Sequence, residues 1–250
     1  MGEPDSDGTA GPIAMLLFRQ GFRPDATAVL QWLAGAALPH QITASIKTPL
    51  GQAEILREGL TFDLVGLSPG AAQAHLPVRH SYGLSEDFPG QPLEAMHLRP
   101  GPHLCVGGVQ LLPVVQVAAG LLADLAELPG LAAISWTAAE NAVCPQSFAR
   151  SIRVWRQGGV FPAFSLVSLS HCRDGTVLSE GLRGLTGREL RFSPRPGKEG
   201  EVALKQVVRL VDWLVQQGPA RACMVRLAAV GAVQFELAPY GELRATLLPD

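Results

Sequence analysis

Apolar positions along this chain fall into short runs of strand length and longer stretches of helical period, and that spacing predicts most of its elements. Ile13 to Phe18 is an unbroken apolar run, and Pro24-Asp25 opens a helical stretch to Ala36 in which Val29, Leu30 and Leu33 face one way. Proline suits the first helical turn, and an aspartate there complements the positive helix end. Ile42 to Thr48 and Leu60 to Leu67 read as strands, which gives a β-α-β-β order. From Ser68 to Pro102 proline, glycine, histidine and serine interrupt every period, predicting a long surface connection.

The pattern then sharpens. His103 to Val109 reads as a strand, Leu111 to Leu128 as a helix apolar on nearly every side, and Leu131 to Trp136 as a strand after the turn pair Pro129-Gly130. A helix apolar all round must be buried between other elements. Cys144-Pro145 opens another helix to about Trp155. Phe164 to Cys172 and Thr176 to Leu182 form a predicted hairpin around Asp174-Gly175, a dipeptide suited to a two-residue turn with positive φ. Leu190 to Ser193 is a further strand. Glu201 to Gln217 is amphipathic, with Leu204, Val207, Val208, Val211, Leu214 and Val215 on one side and Gly218-Pro219 as its stop. Met224 to Ala229, Val233 to Leu237 and Leu243 to Leu248 complete the strands. Helices mixed with locally pairing strands predict an α+β fold, with mixed or mainly antiparallel sheets packed against about four helices. The expected division is a disordered tail at 1–11, a β-α-β-β part with its long loop at 12–100, and a second α+β part at 101–250, or a single domain over 12–250.

Composition narrows the function classes. An apolar share of 47%, a mean hydropathy of +0.20 and a net charge of -2 describe a folded chain with no bulk attraction to nucleic acid. Three lysines leave seventeen of the twenty basic residues as arginine, the usage of a GC-rich bacterial genome. The most apolar stretch, Leu104 to Leu128, is broken by Gln110, Pro113, Gln116 and Asp124, so no membrane span is expected. Cys105, Cys144, Cys172 and Cys223 lack the paired spacing of a structural zinc site, and with no secretory signal ahead of them they are expected as reduced thiols in the cytoplasm.

A resemblance adds to this. The run His103 to Val109 with its apolar helix, Ile134-Ser135-Trp136, Val143-Cys144-Pro145-Gln146-Ser147-Phe148, Glu180-Gly181-Leu182 and Thr186-Gly187-Arg188-Glu189-Leu190 resembles family 4261 of the bacterial domains of unknown function. The resemblance implies a bacterial α+β domain and no assigned reaction. The chain departs from the family pattern at Cys144 and in its C-terminal strands.

Four groups of residues bear chemistry. Cys144, ahead of a proline-initiated helix, stands where backbone N–H groups stabilise a thiolate, yet no histidine is local to it. His97, His103 and Cys105 have donor atoms for a metal without a diagnostic spacing, and no metal or other cofactor is expected. Arg183, Arg188, Arg191 and Arg195 among turn glycines could hold a phosphate or carboxylate, or simply make a solvated edge. Tyr82 and Phe88 in the long connection are candidate anchors for a partner, or the means by which the loop is tacked down. The leading expectation is a non-enzymatic protein-binding or accessory protein, an adaptor or neutralising factor. A thiol enzyme centred on Cys144 and anion binding at Arg183 to Arg195 are the alternatives.

Overall fold

The computed structural model describes residues 11–35, 43–47 (backbone only), 51–104, 108–197, 199–228 and 230–249. The first half contains β1 (Ala14–Arg19), α1 (Ala26–Gly35), β2 (Thr43–Lys47), β3 (Gln52–Arg57), β4 (Leu60–Val65), β5 (His80–Tyr82), β6 (Leu93–Pro100) and α2 (Leu112–Leu125). β7 (Leu131–Trp136), β8 (Asn141–Val143), α3 (Pro145–Arg156), α4 (Ala163–Leu166), β9 (Ser168–His171), β10 (Val177–Glu180) and α5 (Arg183–Thr186) follow. The chain closes with β11 (Glu189–Ser193), α6 (Glu201–Gln217), β12 (Cys223–Leu227), β13 (Gly231–Ala238) and β14 (Glu242–Leu247). The fold is α+β, with four longer helices, α1, α2, α3 and α6. Contacts divide the chain into two units, neither a continuous stretch. Unit 1 is Met1–Leu76, Leu84–Ser135 and Cys144–Ala149; unit 2 is Pro77–Gly83, Trp136–Val143 and Arg150–Asp250. Among the described residues no helix is long and apolar enough to cross a membrane.

Unit 1 is built on strands in the order β2-β3-β4-β6-β1-β7. Side chains alternate between the faces of a strand, so the antiparallel registers Leu16↔Met96, Leu64↔Leu98 and Ile55↔Phe62 put all six residues on one face, and each is fully buried. Helix α2 covers that face. Its Asp124, one of the residues that break the apolar stretch in the sequence, forms an ion pair with Arg57 of β3, itself only 2% exposed. Trp32 of α1 donates its Nε1–H to the Asp124 carbonyl at 3.2 Å, so α2 is enclosed by a helix as well as a sheet. That enclosure is why its sequence is apolar nearly all round.

Unit 2 contains a six-stranded sheet ordered β12-β13-β14-β11-β10-β9, antiparallel except for the parallel pair β11·β14. Val207, Leu210, Val211 and Leu214 of α6 are buried, and Trp213 stacks on Phe235 of β13 with centroids 5.4 Å apart. β5 and β8 form a parallel pair in the same unit. Asn141 of β8 is fully buried with its amide spent: Oδ1 accepts the Trp136 N–H at 2.9 Å, and Nδ2 donates to the carbonyls of Phe164 and Ser165, each at 3.2 Å. A buried amide satisfied in this way fixes the local chain path.

Several expectations need correction. The connection predicted from Ser68 to Pro102 contains β5 and the eight-residue β6, which lies between β4 and β1. Its Glu94, His97 and Arg99 disguise it as loop. β3, Gln-Ala-Glu-Ile-Leu-Arg, was hidden by the same mixture of charge and apolar residues. The strand predicted from His103 is a 3₁₀ turn over Pro102–Leu104 and a turn at 108–110, with 105–107, including Cys105, outside the described residues. The tail at 1–10 also lies outside them. Phe164 to Leu166 belongs to the single helical turn α4 rather than to a strand. The hairpin between β9 and β10 exists, but its loop is longer than two residues: Gly175, at φ +79°, donates to the Cys172 carbonyl at 3.1 Å, and Cys172 donates to that of Thr176 at 2.8 Å.

Candidate functional site

The chemistry gathers in an ionic cleft of about 680 Å³ within unit 2. The sheet supplies its floor: β10 ends on Glu180, β11 carries Glu189 and Arg191, and β14 carries Glu242 and Arg244. Glu180 faces β5 and accepts from Arg79 at 2.6 Å and from His80 Nε2 at 2.8 Å, while Arg79 also pairs with Glu140. These hydrogen bonds and charges hold Glu140 below the usual carboxylate range. Glu242 is shared between Arg191 at 2.9 Å and Arg244 at 3.0 Å. Partial burial pushes its carboxyl up, and the two guanidiniums outweigh this, leaving it below its ordinary value.

Glu189 shows how the sequence builds the loop after β10. Its carboxylate accepts the N–H groups of Gly181 (3.0 Å), Leu182 (3.2 Å) and Arg183 (3.1 Å), the open donors at the start of the one-turn helix α5, and the Ser179 hydroxyl at 2.5 Å. Backbone donors at a helix start form a natural anion cradle, and here the chain fills it with its own side chain. Gly181, at φ +95°, permits the turn, because a Cβ there would lie 2.9 Å from the Ala138 carbonyl.

The arginines singled out from the sequence therefore divide. Arg188 donates to the carbonyls of Ala238 (3.0 Å) and Glu242 (3.3 Å), and Arg195 to that of Leu248, which ties neighbouring strands and turns together. Arg191 is engaged by Glu242 and by the Thr176 hydroxyl at 3.1 Å. Arg183 differs. Among the described residues it is the cleft arginine without a carboxylate partner, and its Nη2 donates only to the Tyr240 carbonyl, at 3.1 Å. It rests against Gly241, where a Cβ would come within 3.0 Å of Nη2.

Beside it Tyr240 is 98% exposed and holds φ +60°, a left-handed backbone that a tyrosine adopts at a cost. Glu58 and Glu140 share this backbone, at φ +49° and +44°, but Tyr240 is the one of the three that presents an aromatic ring to solvent beside the cleft. The sequence reading missed Tyr240, Arg79, Glu180 and Arg244. The one local signal was the tyrosine set between Pro239 and Gly241, two turn residues.

The remaining candidates stand elsewhere. Tyr82 is half-buried inside unit 2, its ring 5.1 Å from that of Phe164 and its hydroxyl accepting the Leu169 N–H at 3.1 Å. Phe88 is 6% exposed within unit 1. Of the two uses open to them, anchoring a partner or tacking down their own chain, these contacts agree with the second. Cys144 precedes α3, half-buried, and its thiol donates to Gln146 Oε1 at 3.1 Å. His97 Nε2 donates to the Ala74 carbonyl, and His103 Nδ1 lies 3.1 Å from the Thr61 hydroxyl. Among the described residues no group of three or more histidine, cysteine, aspartate or glutamate side chains is arranged to hold a metal. A larger hollow, about 980 Å³, runs along α6 past Leu204, Val208 and Trp213, and its wall is mainly apolar. Set against known proteins, the chain matches no protein family, no curated protein and no solved structure.

Proposed function

We propose that the protein is a binding protein, not a catalyst, and that its unit 2 cleft recognises another protein through a single acidic side chain. The observation that carries this reading is Arg183, a guanidinium without a carboxylate partner in a cleft whose other cations are already paired. Arg79, Arg191 and Arg244 are met by Glu140, Glu180 and Glu242, and Glu189 is taken up by backbone N–H groups, so the Arg183 guanidinium is the cleft charge left over. One surplus charge matches one carboxylate better than a doubly charged phosphate, and a guanidinium takes a carboxylate through two parallel hydrogen bonds. Tyr240 supplies an exposed ring against which the aliphatic stem of the partner residue can pack, a use in which tyrosine is enriched at interfaces. The lining mixes charged side chains with Ala138, Leu178, Pro239 and Tyr240, a mixed surface of the kind found in interfaces formed by proteins that also exist apart.

The test is a chemical-shift titration of the isotope-labelled protein with acetylated, amidated tripeptides bearing a central glutamate, beside the same peptides with glutamine. The expected result is saturable shifts at Arg183, Tyr240, Gly241 and Arg244 with the glutamate peptides and none with glutamine. Equal responses to both sets, or shifts confined to other surfaces, would overturn the reading.

A further inference from the structure

Unit 1 contains a segment fastened by histidine. After β4, residues 66–76 continue beside the stretch of β6 that β4 leaves unpaired, where Gln73 forms an isolated antiparallel bridge with Ala95 and the His97 side chain reaches the Ala74 carbonyl. The first part is firmly seated: Gly66 and Leu67 both donate to the Gly51 carbonyl at 2.9–3.0 Å, Ser68 donates to that of Pro24 at 3.0 Å, and Arg23 donates to the carbonyls of Gly66 and Gly70. The second part is not. Ala71, Ala72, Ala74 and His75 are exposed, and hydrogen bonds join this stretch to β6. Gln73 N–H donates to the Ala95 carbonyl at 2.9 Å, His97 Nε2 to that of Ala74 at 2.9 Å, and His75 Nε2 lies 3.0 Å from that of Leu93.

His97 is 4% exposed, and its second ring nitrogen, Nδ1, is buried with no hydrogen-bond partner. A neutral ring tolerates that, with Nδ1 as an unused acceptor. A protonated ring does not, since it would bury an N–H and a positive charge. The groups around it give a cation no help. Across the sheet stand Val65 of β4 and Met15 of β1, both apolar. Arg99 lies on the same face, and its cross-strand neighbour Asp63 is paired in register with Arg99, with Glu54 of β3 beyond. From the segment itself comes His75, a second potential cation, while Glu94, on the opposite face of β6, is engaged by Arg23 at 3.4 Å and by the Gly21 N–H.

We infer that His97 is a pH-sensitive clip: neutral, it fastens residues 71–76 to β6; protonated, it releases them while the rest of unit 1 stays folded. The direction of its titration agrees, because burial above all, then Arg99 and His75, hold the ring below its ordinary value of 6.5 despite the bond to Ala74. With the folded value depressed, the unfastened state binds the proton more readily. The clip is therefore intact above the ordinary histidine range and is lost as pH falls through the lowered value.

Amide hydrogen exchange by NMR, expressed as protection relative to the intrinsic rate at each pH, reads this directly at Gln73. Between about pH 7.5 and about pH 5, Gln73 should lose protection roughly tenfold or more, while amides of β1 and β4 keep theirs. In His97→Gln, whose amide still donates to Ala74 and does not titrate, the loss should disappear; in His75→Gln it should persist. The ring of His97 in the wild-type protein should titrate below 6.5, together with the Gln73 change. Constant protection at Gln73 across that range, an undiminished response in His97→Gln, or a His97 midpoint at or above 6.5 would each overturn the proposal.

Discussion

Arg57 and Arg183 are the same residue type in opposite circumstances. Arg57 ends β3 of unit 1, enclosed between sheet and helix, with its charge met by Asp124 and by Glu58 at 3.3 Å. Arg183 begins a single helical turn of unit 2, open to solvent, and meets only a carbonyl. A buried guanidinium is tolerable only when its counter-charge is in place, so Arg57 is bound to a structural role. An exposed one carries little desolvation cost and is available to a ligand's carboxylate. The lesson concerns surroundings: the fold, and not the residue, decides whether an arginine holds the protein together or recognises something else.

The comparison predicts unequal consequences. Arg57→Leu leaves the Asp124 carboxylate enclosed without its partner and should destabilise the protein by about 3–5 kcal/mol, measured by urea unfolding. Adding Asp124→Leu to that variant should restore much of the loss, because an apolar pair replaces an orphaned charge. A loss under about 1 kcal/mol for the single variant would erase the contrast with Arg183.

Within unit 2 itself, Glu189→Ala removes the acceptor for three backbone N–H groups and the Ser179 hydroxyl. Stability should fall by about 2 kcal/mol, again from urea unfolding, and the peptide titration should weaken as α5 loses the geometry that sets Arg183. Tyr240→Gly should act in the other direction. Glycine takes the left-handed backbone without strain and the lost ring is almost wholly exposed, so the unfolding free energy should rise by about 0.5 kcal/mol while binding of the glutamate peptides weakens. A variant both less stable and unchanged in binding would show that the ring serves the fold.

How far the sequence disclosed this follows from what each signal depends on. Helix α6 was legible from Glu201 to Gln217 because its period and its glycine stop are local, and α2 was legible because enclosure demands apolar residues on every side. β6 was not, since His97, buried with its Nε2 bonded to the Ala74 carbonyl, puts a polar residue where the alternation leads one to expect an apolar one. The cleft was half legible. Arg183, Arg188 and Arg191 were visible as a basic cluster, but which of them is engaged depends on carbonyls and a carboxylate some fifty residues away, at Ala238, Tyr240 and Glu242. Phe88 was ambiguous for the converse reason: an aromatic residue among prolines reads as exposed until a core is found beneath it.

The central claim is that Arg183 is free to read a partner's carboxylate, and the affinity of one glutamate tripeptide for wild type and for Arg183→Gln tests it most directly. The substitution keeps a polar side chain of similar reach and removes the charge. Its unfolding midpoint should match wild type, since changes at exposed sites stay within about 0.5 kcal/mol. The peptide should bind at least about tenfold more weakly, the loss of one charge-assisted contact of 1.5 kcal/mol or more. Unchanged affinity in a variant of unchanged stability would contradict the account.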